Sequence, residues 1–350
     1  MNGKSFNNKG DELIMKENIE DKKIKEIKFI YNISDNPFNF YEADNSFVIF
    51  KSIYNKYYIV FASKNNIISY NLNNQQIENE IKNAHQYFIT SFRHCLYRNK
   101  DIIMSVSPFE KNIKIWDTSI WDNIINITNI YSEGLLLSAC FLNYNNQYFI
   151  LSSNIDLNFD KIPEPIKIFN FEGKKIKELK NSNEYTFLID THYDDKNKKY
   201  YIIVSNINSI KSYDYEKNEI YHKYKNNSIN EYFNFIIYNN ENITKIIKSY
   251  YSCKCIEIWD FHKGILLDNI YINFKGIIGI CLYNQNYLFA GSYEGLIKII
   301  DLKKKKIINN LEEHQSRICS IKTFIHPIYG DCLISQGWLS EPIKLWIIKN

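Results

Sequence analysis

The six residues Asn112–Asp117 read N-I-K-I-W-D, and near-copies of them recur along the chain. Cys255–Asp260 is C-I-E-I-W-D, Leu296–Asp301 is L-I-K-I-I-D and Pro342–Ile347 is P-I-K-L-W-I. Weaker copies are Asn66–Asn71 (N-I-I-S-Y-N), Pro165–Asn170 (P-I-K-I-F-N) and Ser209–Asp214 (S-I-K-S-Y-D). The fifth residues of the copies are Tyr70, Trp116, Phe169, Tyr213, Trp259, Ile300 and Trp346, spaced by 46, 53, 44, 46, 41 and 46 residues. A period near 45 residues, kept over almost the whole chain, points to a repeat architecture in which each unit packs on its neighbours.

Within a unit the apolar pattern has period two. In Asn112–Asp117, Ile113 and Ile115 take one face and Lys114 and Trp116 the other, as in a strand covered on both sides. The second unit reads as four strands: Tyr87–Arg93, Asp101–Ser107, Asn112–Asp117 and Asp122–Ile127. The same order recurs in the other units, but the seventh offers only three: Arg317–Phe324, Asp331–Ser335 and Ile343–Ile348. Lys23–Ile30 (K-I-K-E-I-K-F-I) alternates with period two and precedes the first unit. We expect it to complete the seventh sheet, because closing a ring removes an open sheet edge. Residues 1–21 are then expected to be a disordered tail and 22–350 the repeat domain. Helical repeats would need 3.6-residue periodicity and Ala/Leu-rich segments, which these Ile-, Tyr- and Phe-rich runs do not supply.

Composition narrows the function classes. With 28 Tyr and 22 Phe the chain is far too apolar to be disordered, and with 11 Gly its turns must rely on Asn and Asp. The net charge of +4 is nearly balanced and does not indicate nucleic acid. Seven scattered Cys fit free thiols in a reducing compartment. The first 25 residues are polar and charged and no run of 18 apolar residues exists, so a cytoplasmic or nuclear setting, without membrane association, is expected. There is no phosphate loop, dinucleotide fingerprint, zinc-protease motif or nucleophile elbow. Cys253 and Cys255 form C-K-C, read here as core packing. No catalytic, cofactor-binding or metal-ligating residue is assigned, and the chain is expected not to be an enzyme.

Four-stranded units of this length, whose third strand ends in W-D, resemble WD40 repeats. The dipeptide is intact at Trp116–Asp117 and Trp259–Asp260, while Asp301 follows Ile300 and Ile347 follows Trp346. The family's Gly-His is reduced to Ala84–His85 and Glu313–His314, and its small-residue run survives best at Ala290–Ser292. The resemblance implies an all-β fold: a seven-bladed β-propeller with four antiparallel strands per blade, the ring closed by strand 23–30 on the last blade. It also implies a structural hydrogen-bonded group of His, Ser, Trp and an Asp. His85, Ser105 and Trp116 supply three members in one unit, and His314, Ser335 and Trp346 in another; no Asp is evident for either.

What the resemblance implies for function is a non-catalytic scaffold or adaptor that binds a protein or peptide on its loop face. Alternatives are a phosphoinositide-binding propeller and a subunit of a larger nucleoprotein or trafficking complex. One subclass of such propellers binds phosphoinositides through Arg-Arg-Gly, and this chain has no Arg-Arg; its one basic run is Lys303–Lys306. The loop face of the family is formed by the turns between second and third strands and by the links between units. Three stretches stand out there: Asn154–Glu164, an insertion with Asp156, Phe159 and Asp160; Gly337–Glu341, with Trp338; and Asn32–Asn45, with Phe38, Phe40 and Tyr41. These aromatics are either interaction anchors or side chains folded back over the blade edges. Arg317 is expected at the mouth of the central channel. Trp121, in a turn on the other face, is expected to pack on its own hairpin.

Overall fold

The structure is a computed structural model; it describes residues 23–34, 46–155, 162–207, 209–225, 233–240, 243–250, 255–272, 276–312, 314–338 and 341–350. These form seven antiparallel four-stranded sheets arranged as the blades of a propeller, with no helix among the described residues. The chain starts with β1 (Glu26–Ser34). Blade 1 holds β2 (Phe47–Lys51), β3 (Tyr57–Ser63), β4 (Asn66–Asn71) and β5 (Gln76–Ile81). Blade 2 holds β6 (Ser91–Tyr97), β7 (Lys100–Ser107), β8 (Asn112–Asp117) and β9 (Asp122–Ile127). Blade 3 holds β10 (Leu135–Tyr144), β11 (Gln147–Ile155), β12 (Lys167–Asn170) and β13 (Lys175–Glu178). Blade 4 holds β14 (Thr186–Asp194), β15 (Lys199–Asn206), β16 (Ile210–Asp214) and β17 (Glu219–Tyr224). Blade 5 holds β18 (Phe233–Asn240), β19 (Ile243–Tyr250), β20 (Cys255–Asp260) and β21 (Ile265–Tyr271). Blade 6 holds β22 (Ile277–Tyr283), β23 (Tyr287–Ser292), β24 (Ile297–Asp301) and β25 (Lys306–Leu311). Blade 7 holds β26 (Ile318–His326), β27 (Gly330–Gly337) and β28 (Ile343–Lys349), with β1 as its fourth strand.

Each blade is too thin to bury its own apolar faces, so the core lies between blades. Among the described residues there is one hydrophobic cluster at each of the seven seams. The residues that measured the repeat sit one per seam, each between its own blade and the one before. Tyr70 is in the seam between blades 7 and 1, Trp116 in that between 1 and 2, and Phe169 in that between 2 and 3. Tyr213, Trp259, Ile300 and Trp346 continue the series round the ring. Burial grades outward accordingly. The second strand β7 is buried along nearly its whole length, whereas the outermost β9 alternates between exposed and half-buried.

The last residue of the repeat has a separate duty. Asp117 Oδ1 accepts the Ser119 amide at 3.0 Å, Asp260 Oδ1 accepts those of His262 and Lys263 at 3.0 and 2.9 Å, and Asp301 Oδ1 accepts that of Lys304 at 2.8 Å. Asn71, Asn170 and Asp214 do the same, so in blades 1 to 6 this side chain caps the turn into the fourth strand. Blade 7 has no such turn, since its fourth strand comes from the other end of the chain. That explains why Ile347, and not Asp, follows Trp346.

The ring closes as expected, with altered bounds. β1 pairs antiparallel with β28, from Glu26↔Lys349 to Ser34↔Ile343, and Lys25 N–H donates to Lys349 O at 2.9 Å. The strand is Glu26–Ser34 and not Lys23–Ile30 because a bulge at Ile30 ends the alternation without ending the strand. In blades 1 to 6 the fourth strand carries an extra residue opposite the same step, between the fourth and fifth residues of the repeat. β1 reproduces it: Phe29 faces Trp346 and Tyr31 faces Leu345. In blade 2 the first strand is Ser91–Tyr97, not Tyr87–Arg93, because Tyr87 and Phe88 belong to the link from blade 1. Trp121 does not stay on its own hairpin; it packs in the seam with blade 1, where its Nε1–H meets the side-chain amide of Asn79, whose oxygen accepts at 2.8 Å once the amide is turned to satisfy both groups. The expected tail, residues 1–21, lies outside the described residues. Among the described residues Asn dominates the left-handed turn positions, with nine of the seventeen non-glycine residues of positive φ. Asp takes none of these and serves through its side chain instead.

Candidate interaction face

The turns between second and third strands and the links between blades open on one face of the ring. In blade 7 these two segments are sewn together by one carboxylate. Glu341 accepts the amides of Gln315 and Ser316 at 2.8 and 3.1 Å, the Ser316 hydroxyl, and His314 Nδ1–H at 2.9 Å. Trp338, in the turn after β27, donates its amide to Arg317 O at 2.9 Å. This brings the Arg317 guanidinium to 3.8 Å from the centre of the Trp338 ring and 5.5 Å from that of Tyr293 in the neighbouring blade. Arg317 therefore lies in a cation–π stack on the loop face. Tyr293 is 45% exposed and Trp338 is half-buried. Gly295 in the Tyr293 turn has φ +83°, and a Cβ there would lie 2.5 Å from His314 O, so only glycine lets the link pass over this turn.

Two of the expected anchors, Trp338 and Arg317, are thus brought together. Asp156, Phe159, Asp160, Phe38, Phe40 and Tyr41 lie outside the described residues. Glu164, the last residue of the insertion, belongs to the blade framework: it accepts the Ser132 amide at 2.8 Å and pairs with Lys167 at 2.5 Å. A second aromatic cluster on the same face was not singled out from the sequence. Phe109 in the β7–β8 turn lies 5.2 Å from Phe88 and 6.2 Å from Tyr87, ring centre to ring centre, and Tyr87 and Phe109 are both substantially exposed. The signal was available, since Phe109 immediately precedes Glu110, the counterpart of Glu341.

Beneath this face run the hydrogen-bond chains in which the sequence showed no Asp. Trp116 Nε1–H donates to Ser105 Oγ at 2.8 Å, Ser105 Oγ–H to His85 Nε2 at 2.7 Å, and His85 Nδ1–H to Glu110 at 2.8 Å. Trp346, Ser335, His314 and Glu341 repeat the chain at 2.9, 2.7 and 2.9 Å. The missing carboxylate is a glutamate in both blades. Burial lowers the His85 pKa, which keeps the imidazole neutral and suits it to accept at one nitrogen and donate at the other. Burial alone would raise the carboxyls of Glu110 and Glu341, but the donors around them hold both down at about 2. The spacing is that of a nucleophilic triad. However, Ser105 and Ser335 are fully buried and their oxygens already accept from tryptophan, so neither offers a nucleophile to a substrate.

Other blades solve the same position differently. In blade 3, where Phe169 has no N–H, Tyr131 OH takes the histidine's place 2.9 Å from Ser152 Oγ. In blade 5 the serine position is Lys248, fully buried, and its partner across the strands is Glu257 at 3.1 Å, which also accepts Trp259 Nε1–H at 2.9 Å. In blade 6, Ile300 and Ala290 lose donor and acceptor together. Among the described residues no three His, Cys, Asp or Glu are grouped closely enough to hold a metal ion. Of the basic run, Lys304 pairs with Asp301 at 3.2 Å and Lys305 with Asp268 at 2.5 Å. No helix of the described residues is long and apolar enough to cross a membrane.

No protein-family model matches the chain.

Proposed function

We propose that the chain is a WD40-type propeller that works as a non-catalytic scaffold, capturing a protein or peptide partner on its loop face. The WD40 reading is supported by the two Trp–Ser–His–Glu chains and by the aspartates that cap the turns after the third strands. The scaffold reading rests on one observation, the stack of Tyr293, Arg317 and Trp338 across two blades of the loop face. Trp, Tyr and Arg are the residue types that dominate binding energy at interfaces. These three are held by backbone bonds and by the Glu341 knot, so little ordering entropy is lost when a partner docks. A fold alone does not fix a function, so the test addresses these residues.

The test is affinity capture with Tyr293→Ala and Trp338→Ala beside the parent, using quantitative mass spectrometry. A hot-spot truncation costs about 2 kcal/mol or more, so recovery of the partner is expected to fall roughly 30-fold in affinity terms with little change in melting temperature. Equal recovery with parent and variants would show that this face is not the capture surface.

A further inference from the structure

The turns between first and second strands open on the opposite face. In blades 2, 3, 4 and 6 they are polar, at Arg98–Asn99, Asn145–Asn146, Asp195–Lys198 and Asn284–Asn286. In blades 1 and 7 the same turn carries Ile-Tyr: Ile53–Tyr54 and Ile328–Tyr329. Ile53, Tyr54 and Ile328 are 42%, 70% and 54% exposed. Four quasi-equivalent turns thus show that a polar sequence suffices there, and two adjacent blades depart from it in the same way.

The two turns are fixed in place. Ile53 N–H donates to Asp101 Oδ2 of blade 2 at 2.8 Å, and Ser52 N–H to Lys56 O at 2.7 Å. Gln75 Nε2 of blade 1 reaches Tyr329 OH at 3.2 Å, and Ile328 N–H donates to His326 Nδ1 at 3.0 Å. Ile120, 64% exposed in the β8–β9 turn of blade 2, is a further apolar side chain on this face.

Near the turns Glu78 pairs with Lys56 at 2.8 Å and Asp117 with Lys100 at 2.6 Å, and the buried Asp101 bonds His94 at 2.9 Å. Lys51 and Arg98 are exposed, and each lies over a tyrosine ring, at 5.5 and 5.0 Å from its centre. We propose that this face of blades 7, 1 and 2 docks a short acidic and apolar peptide segment of another protein. Its apolar side chains would cover Ile53, Tyr54 and Ile328, and its carboxylates would meet Lys51 and Arg98. A lipid surface fits less well, because electrostatic membrane recognition uses clusters of about four to eight cations and two stand here. The surface is separate from the Trp338 face and does not depend on it.

The test is fluorescence anisotropy with two fluorescein-labelled twelve-residue peptides. In one, Leu and Phe alternate with Asp and Glu; in the other, Lys replaces every acid. Anionic phosphatidylserine vesicles form a third arm. The acidic peptide is expected to bind saturably and at least 10-fold more tightly than the basic one. Tyr54→Ser with Ile328→Ser is expected to weaken it at least 10-fold. Lys51→Glu with Arg98→Glu is expected to reverse the preference between the peptides, and Trp338→Ala to leave it unchanged. All the altered side chains except Trp338 are exposed, and thermal melts confirm folding of each variant. The proposal is overturned by no saturable binding of the acidic peptide, by equal binding of both peptides, or by unchanged binding in the Tyr54/Ile328 variant. Loss of binding in Trp338→Ala, or vesicle binding without peptide binding, overturns it equally.

Discussion

Glu110, Glu164 and Glu341 stand one or two residues before the repeat in three blades, and each holds its carboxyl at about 2. In all three burial would raise the value, and hydrogen bonds from His85, from Lys167 and Ser132, and from His314 and Ser316 outweigh it. A carboxyl with a folded pKa below its unfolded value contributes stability that is complete above the unfolded value, 4.5 for Glu. That contribution is lost as the pH falls from about 4.5 towards about 2. His85, lowered by burial from 6.5, acts in the same direction from higher pH. The urea midpoint is therefore expected to drop steeply between pH 5 and pH 3, and Glu341→Gln to lower the midpoint at pH 7 while flattening that drop. An acid limb as steep in the variant as in the parent would remove the Glu341 knot from the account. Blade 5 makes a sharper prediction. Glu257→Gln removes the carboxylate paired with the fully buried Lys248, so a loss of about 3–5 kcal/mol is expected in denaturant unfolding. Lys248→Met combined with Glu257→Leu is expected to recover most of it. At this scale the sequence was only half legible. The tryptophans were found by spacing, and the resemblance to WD40 repeats pointed to the histidines and serines, but the fourth partner was sought as an aspartate. The longer glutamate reaches the same imidazole from E-P-I-K and E-K-N-I-K, a position that the repeat itself marks. The stacking of Arg317 was not legible, because nothing in one dimension tells which neighbouring ring a guanidinium lies on.

At the scale of elements, β1 is the decisive strand. It supplies the outer edge of blade 7 and contributes to two seams: Ile27 and Phe29 pack towards blade 6, and Ile30, Tyr31 and Ile33 towards blade 1. Removing residues 1–34 therefore uncovers both seams and breaks ring closure, and the variant is expected to lose its single cooperative thermal transition. A synthetic peptide of residues 23–34 added in trans is expected to restore it. A truncated chain that melts like the parent would mean that β1 is dispensable. The existence of this strand was readable from period-two alternation, and its extent was not. The bulge at Ile30 shifts the side chains by one and stops the alternation while the ladder runs on. The same logic explains β6, where Tyr87 and Phe88 imitate a strand but lie in a link.

For the whole molecule, the ring is a series of seams, each filled by one large side chain from the fifth position of the repeat. Trp116→Ala is expected to cost about 3–5 kcal/mol, the usual range for emptying a buried aromatic site. The repeat was legible because its spacing survives even where its letters do not, as at Ile300 and Ile347. The loop face was legible only where a turn carried a side chain that the turn itself does not need, as at Trp338. Tyr293 became visible only once the blades were closed, and Phe109 only through Glu110 beside it. In the proposed function this closed ring holds the Tyr293–Arg317–Trp338 stack ready for a protein partner, and one crosslinking experiment bears on it. It is tested most directly by placing a photo-crosslinking benzoylphenylalanine at position 293 and, as a control, at Tyr271 on the outer edge of blade 5, which is 79% exposed. A discrete crosslinked protein is expected from position 293 and none from position 271. Crosslinking from position 271 alone, or from neither, would contradict it.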